Sequence, residues 1–380
     1  MEAMEISGRF DPQFRRVAEA FENNFANGLE LGASFCLFQN GEKKVDIWGG
    51  YMDAARTRLW DEDTLVNVWS TTKGVLAFSV GRLVDQGHLE LDQTVAHYWP
   101  AFGVNGKQDI TVAQLFSHQA GICGPSRKIT SEECVNTDFL AAYLADETPQ
   151  WEPGTRSGYH AFTLGPLADG LFQRIIGKTV GAYFREEVAE PMGLDFHIGL
   201  PASEDHRVAN LVHDGGLQAG GPDAWNEFQA SAHGNIPTGV EIAMTRDWRA
   251  QGTPSAGGQG NARSVATLYN ALATDRRLNG TEIISRAGLG AVTKIQIENT
   301  DLVIGLPVSW GAGYVINTSK LVFGPNPEAF GHSGWGGSFG FADPASGVAA
   351  AYTMNRMIEP LRTADPRVVA LIKSIFSSLE

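Results

Sequence analysis

In the stretch NVWSTTKGVLAF, residues 67–78, a serine and a lysine stand three positions apart at the head of an apolar run. Residues at that spacing share one face of a helix, so the Lys73 amine can reach the Ser70 hydroxyl. A serine at a helix N-terminus also turns its own backbone N–H towards the oxyanion formed when it attacks a carbonyl. One turn then supplies a nucleophile, Ser70, its proton partner, Lys73, and half of an oxyanion hole. The plain alternative is a capped helix start with a solvated lysine, although a cation in the first turn opposes the helix dipole. Trp69 ahead and the apolar helix behind would keep such a site partly dry.

The elements that must hold this pair are legible in outline. DPQFRRVAEAFENNF predicts a helix capped by Asp11, with Pro12 in its first turn and Phe14, Val17, Phe21 and Phe25 on one face. GASFCLFQ and KKVDIWGGYM flank Asn40-Gly41, which predicts a hairpin. A helix is expected from Thr71 to Gln86, stopped by Gly87. Residues 111–190 carry helical periodicity, as in Leu164, Leu167, Leu171 and Ile175. Asp214–Gly260, rich in Gly, Ala and Pro, is expected to be a long surface excursion along a cleft. After the helical SVATLYNALATD come strand-like runs, GYVIN, LVFG, SFGFAD and GVAAAYTM, and a last helix, DPRVVALIKSIF. This order predicts an α+β fold, a mainly antiparallel sheet flanked by helices with a mainly helical insertion. The expected division is 1–88 with 255–380 for the sheet domain, and 89–254 for the insertion.

The bulk numbers narrow the function classes. The 380 residues carry a formal charge of -14 without a basic block, so neither nucleic acid nor an anionic membrane surface is an expected partner. The N-terminus has no basic and apolar signal pattern, and no stretch reaches bilayer length. Cys36, Cys123 and Cys134 are odd in number and lack metal spacing, which fits reduced thiols in a cytoplasmic protein. No metal and no cofactor are expected.

Two distant stretches complete the chemistry. PGTRSGYHAF places Tyr159 after a Pro-Gly turn, and FGHSGWGGSFGFADP places His332-Ser333-Gly334 ahead of a strand. The set S-x-x-K, then Tyr, then a basic residue followed by Ser-Gly, resembles the serine β-lactamase and penicillin-recognising family. LDQTVAHYWPAF, ITVAQLFSHQAGI and SAGGQGNARSVATLYNAL are similar to family stretches as well, so the resemblance covers about residues 30–355. Within the family the likeness is to the family VIII carboxylesterases. It implies the β-lactamase/D,D-peptidase-like fold and an acyl-enzyme on Ser70, with Lys73 as partner and Tyr159 as general base. It also implies that His332-Ser333-Gly334 contacts substrate and that the Trp335 N–H completes the oxyanion hole. The expected substrate is a small ester with a short acyl chain, a β-lactamase or D-alanyl-D-alanine peptidase activity being the alternative. A non-catalytic binding protein on the same fold would be expected to have lost the serine, lysine or tyrosine. Two departures count against lactams: histidine stands where the lactamases have lysine, and Ala161 stands where they have an amide.

Free tyrosine is only ~0.1% phenolate at pH 7. An ammonium at ~4 Å, with an effective dielectric of ~20, favours the phenolate by ~4 kcal/mol, or ~3 pKa units. That makes a Tyr159 base with a charged Lys73 workable, and a neutral Lys73 base remains the reverse assignment. Other motifs compete less well. GGSFG fits a nucleophile elbow around Ser338, but no histidine follows it to act as base. Its glycines instead suit a strand passing close to substrate. His118 is expected to anchor a loop at a helix end and His160 to line the cleft.

Overall fold

The computed structural model describes residues 6–213, 225–237, 239–318, 322–358 and 365–380. Its centre is a nine-stranded antiparallel sheet. The strands are β1 Ser7–Phe10, β2 Gly32–Gln39, β3 Glu42–Gly50, β4 Ile297–Thr300, β5 Pro307–Trp310, β6 Val315–Ile316, β7 Phe330–Ser333, β8 Phe339–Asp343 and β9 Val348–Met354. Their order across the sheet is β1-β3-β2-β9-β8-β7-β6-β5-β4. The N-terminal hairpin therefore joins the C-terminal strands through β2 and β9, with Phe35 opposite Tyr352. The hairpin turns at Asn40, φ 51°, and Gly41, as its sequence predicts.

The helices that matter for the site are α1 Arg15–Ala26, α2 Thr72–Asp85, α3 Thr137–Asp146, α4 Leu164–Ile176, α5 Ala262–Ala273, α6 Arg286–Thr293 and α7 Pro366–Ser377. Asp11 accepts from the Gln13 N–H at 3.0 Å and starts the turn that leads into α1, burying Phe14, Val17 and Phe21. β2 and β9 are buried along nearly their whole length because both faces are covered. α5 lies on the face that carries Ser34 and Thr353, while α1 and α7 pack together on the other. α2 rests on α6 and reaches β7, so its N-terminus comes up beside the middle of the sheet. The described residues of 89–254 contribute α3, α4 and shorter helices but no strand of the main sheet. One apolar core runs continuously from the sheet into these helices.

Some expectations are corrected. Residues 225–260 are not a loop excursion. They hold helical turns at Glu227–Gln229, Ala230–Gly234, Val240–Ala243 and Arg246–Gln251, and a strand at Gly258–Gly260. Side-chain caps from Asn226 and Thr245 start two of these turns and offset the unfavourable composition. Residues 214–224 and 238 of that stretch lie outside the described residues. Of LVFG, Leu321 lies outside them too, Val322 and Phe323 form a bend, and Gly324 is irregular, so there is no strand in Val322–Gly324. His332-Ser333-Gly334 stands ahead of β8 as expected, and His332 and Ser333 also form the end of β7. The three cysteines are free and buried. Among the described residues no helix is long and apolar enough to cross a membrane.

Candidate active site

Ser70 lies in a 3-10 turn, Trp69–Thr71, that runs straight into α2. Several bonds hold this turn from outside. Val68 N–H donates to Gly258 O at 2.9 Å, and the Thr72 hydroxyl donates to Trp69 O while accepting from Gly258 N–H at 3.0 Å. Trp69 carries φ 48°, a conformation that costs a non-glycine residue roughly 1 kcal/mol or more. The strain is held by packing, since the buried Trp69 ring meets Trp248 at 5.8 Å and Trp335 at 5.0 Å. Ser70 itself stays partly open to solvent.

Behind it, Lys73 is completely buried. Its Nζ lies 3.3 Å from Ser70 Oγ, 2.6 Å from Ala161 O and 2.8 Å from Ser255 O. It also lies 4.8 Å from the centre of the Tyr159 ring. No carboxylate offsets this burial, so desolvation drives the amine well below the ordinary lysine range. A neutral amine fits its surroundings: two N–H groups meet the two carbonyls and the lone pair is left for the serine proton.

Tyr159 comes from a loop that leads to α4. Its ring stacks on Trp310, with centroids 5.5 Å apart and planes 5° from parallel, and meets the His118 ring edge-on at 5.0 Å. Part of its surface stays open. Burial of the rest still raises its pKa; a hydrogen bond with Ser70 opposes this and the charge of Asp301 reinforces it. The sequence reading missed Asp301. This buried carboxylate accepts from the Tyr159 N–H at 2.9 Å, the Ser157 hydroxyl at 2.7 Å, the Val303 and Ile304 N–H groups at 2.9 and 3.0 Å, and the Trp310 indole at 3.2 Å. It fixes both the tyrosine backbone and the ring on which the tyrosine stacks.

The third stretch closes the cleft. Gly334 N–H donates to Ser338 O at 2.7 Å, and a Cβ at Gly334 would stand 2.2 Å from Val68 O, so only glycine lets this turn approach the nucleophile. Among the described residues neither the Ser70 nor the Trp335 backbone N–H donates to another group of the protein. Ser338, the rival nucleophile, is buried; it donates to Val68 O at 2.8 Å and shares a 3.0 Å bond with the Thr71 hydroxyl. It is a fastener between two loops.

The histidines also resolve. His118 follows the short helix Val112–Phe116 with φ 64°, and its Nδ1 accepts from the His160 N–H at 3.1 Å, so it anchors a loop as expected. His160 is not a cleft-lining group. Buried, it accepts from Ile122 N–H at 3.1 Å through Nε2 and donates to Gly158 O at 2.7 Å through Nδ1. His332 is buried as well, with Nδ1 donating to Ser333 O at 2.8 Å. Desolvation, helped by Lys73, pushes its pKa down to about 3, so it presents a neutral wall behind Tyr159. Ser333 is exposed at the cleft edge. Among the described residues no cluster of three or more His, Cys, Asp or Glu side chains could hold a metal ion.

The β-lactamase family model matches residues 21–374. The chain belongs to the β-lactamase family. The Mycobacterium tuberculosis esterase/beta-lactamase LipL is 32% identical over 373 residues, 95% of this chain and 85% of that protein. A family VIII carboxylesterase of known crystal structure is 45% identical, with a TM-score of 0.92 over 98% of this chain and 100% of that one. A penicillin-binding protein homologue from Caulobacter crescentus shares 42% identity, with the same TM-score and coverage. This β-lactamase-family chain therefore has the α+β fold its motifs imply.

Proposed function

We propose that this chain is a carboxylesterase that hydrolyses small esters through an acyl-enzyme on Ser70. The observation that carries the proposal is Lys73 Nζ, fully buried, 3.3 Å from Ser70 Oγ and paired otherwise only with carbonyl oxygens. Lys73 takes the Ser70 proton as the oxygen attacks the ester carbonyl, and the Ser70 and Trp335 N–H groups receive the oxyanion. The Tyr159 hydroxyl, close enough to Ser70 for it to oppose the rise in pKa, relays a proton to the leaving alkoxide. Water then enters, returns a proton along the same path and releases the acid. This assigns the base to Lys73 rather than to a Tyr159 phenolate. Burial works against both charged forms and offsets the attraction of ~4 kcal/mol expected at an effective dielectric of ~20.

The cleft favours esters over lactams. A neutral, buried His332 offers no cation to a lactam carboxylate, and Ala161 gives Lys73 its carbonyl but offers no side-chain amide. Each missing bond to a charged group is worth about 1.5–3 kcal/mol. A cytoplasmic site of action fits the three free thiols. We assign the cleft to the junction between 1–88 with 255–380 and the helical 89–254. The test is a profile of kcat/KM across p-nitrophenyl acetate, butyrate and longer esters beside a chromogenic cephalosporin. Short esters should lead, with the cephalosporin slower by ~10²-fold or more. Equal values on ester and cephalosporin would refute the substrate class.

A further inference from the structure

The turn that carries the Trp335 N–H is built from Gly334-Trp335-Gly336-Gly337, three glycines in four residues. Gly337 N–H donates to Gly334 O at 3.2 Å, Gly336 has φ 86°, and Trp335 is not in the left-handed region, which makes this a type II turn with Trp335 at its second position. So glycine-rich a turn has little stiffness of its own. An oxyanion donor must nevertheless be aimed before charge develops, because reorganisation during the reaction raises the barrier. Something else has to hold it.

On the nucleophile side that is Ser338. On the opposite side it is Arg367, the second residue of α7, which is fully buried. Its NH2 donates to Gly336 O at 2.6 Å. The guanidinium is fixed in turn by Asp365, at 2.6 to 3.1 Å from Nε and NH2, and by Glu30, 3.1 Å from NH1. NH1 also donates to Arg356 O at 2.7 Å. Glu30 accepts from the Tyr352 hydroxyl, and Tyr352 lies in β9 with the Arg367 guanidinium 5.9 Å above its ring. A Cβ at Gly337 would stand 2.5 Å from Asp365 Oδ2 and 2.6 Å from Arg367 NH2, so the turn rests directly on this clamp.

We propose that Arg367, held by Asp365 and Glu30, is a positioning residue for the oxyanion hole: it pins the Gly336 carbonyl and thereby aims the neighbouring Trp335 N–H. This rests on the reading of Trp335 as oxyanion donor, and the experiment separates the two. Trp335→Ala and Trp335→Pro both remove the indole, but only proline removes the N–H, and proline suits the second position of a type II turn. The proline variant should be slower than the alanine variant by about 10²-fold in kcat. Arg367→Lys keeps a buried cation but loses the planar fork, and should lower kcat by about 10- to 10²-fold with KM within about 3-fold. The affinity of a boronic acid that forms a tetrahedral adduct should fall in parallel. In the Trp335→Pro background, Arg367→Lys should change kcat by less than about 3-fold, because the donor it aims is gone. An equal loss in the alanine and proline backgrounds, or an unchanged kcat, overturns the role of Arg367 while leaving the oxyanion reading intact. Equal rates for the alanine and proline variants overturn that reading, and the proposal with it. If Arg367→Lys does not fold, Asp365→Asn tests the same clamp. It should lower kcat by about 3- to 10-fold with KM preserved, and no change would overturn the proposal.

Discussion

Two of the cations fully buried among the described residues, Arg367 and Lys73, have surroundings that make opposite uses of burial. Arg367 meets two acidic side chains, Asp365 and Glu30, and several carbonyls. Lys73 meets two carbonyls and a hydroxyl, with no acid. A guanidinium with Asp365 as its counterion stays charged and acts as a fixed clamp. An amine without one is held well below the ordinary lysine range, which suits the base role proposed for Lys73. Burial alone therefore does not say whether a charged side chain is structural or chemical. The partners do: Arg367 meets a counterion, whereas Lys73 meets none and faces a serine hydroxyl.

The sharpest way to break this contrast is Lys73→Arg. Arginine stays protonated, so if Lys73 works as a neutral base kcat should fall by at least ~10³-fold in steady-state ester assays. A loss below tenfold would mean that Lys73 acts as a cation and the contrast is false. Tyr159→Phe should cost ~10²–10³-fold in kcat with circular dichroism unchanged. Near-normal turnover would remove the tyrosine from the proton path. Asp301→Asn, which weakens five hydrogen bonds without touching substrate, should lower kcat by about tenfold and leave KM nearly unchanged. A rise in KM alone would make Asp301 a substrate-binding determinant instead.

The pH dependence tests both cations. If the active form of Lys73 is the neutral one, kcat/KM for an uncharged ester should fall as pH drops through its depressed pKa, well below the ordinary lysine range. A profile that instead rises only towards pH 10 would return the base role to a tyrosine of ordinary character. Beside Arg367, burial outweighs the guanidinium and pushes Glu30 up to about 8 from an ordinary 4.5. The folded state then holds a proton that the unfolded chain has lost, so this group's contribution to stability falls as pH rises from about 4.5 to 8 and levels off above. Glu30→Gln should flatten that part of a thermal-unfolding profile by about 2 °C or more. An unchanged slope would show that Glu30 is ionised in the folded protein.

What could be read from the sequence was what is local. Asp11-Pro12, Asn40-Gly41 and the Ser70–Lys73 spacing each specify geometry within a few residues, and the fold keeps all three. Asp301 stands 142 residues from Tyr159, and Arg367 stands 31 from Gly336. Each has a partner only because β4, β5 and α7 return to the cleft, so neither residue carried a local signal. His332 looked like a substrate anchor from its motif, but the packing of Trp310 and Tyr159 around it decides its charge. Residues 225–260 were misread because their composition resembles a loop, while caps at Asn226 and Thr245 and contacts with the Cys123 thiol, the Gly124 backbone and the Leu302 and Val303 carbonyls stabilise short helical turns.

The central claim is that Ser70 carries the acyl group. The direct measurement is mass spectrometry of protein quenched in acid during turnover of an ester whose acyl-enzyme hydrolyses slowly, followed by peptide mapping. The wild-type protein should gain the mass of one acyl group on the peptide that contains Ser70, and Ser70→Ala should gain none. An acyl group on Ser338, or full turnover by Ser70→Ala, would contradict it.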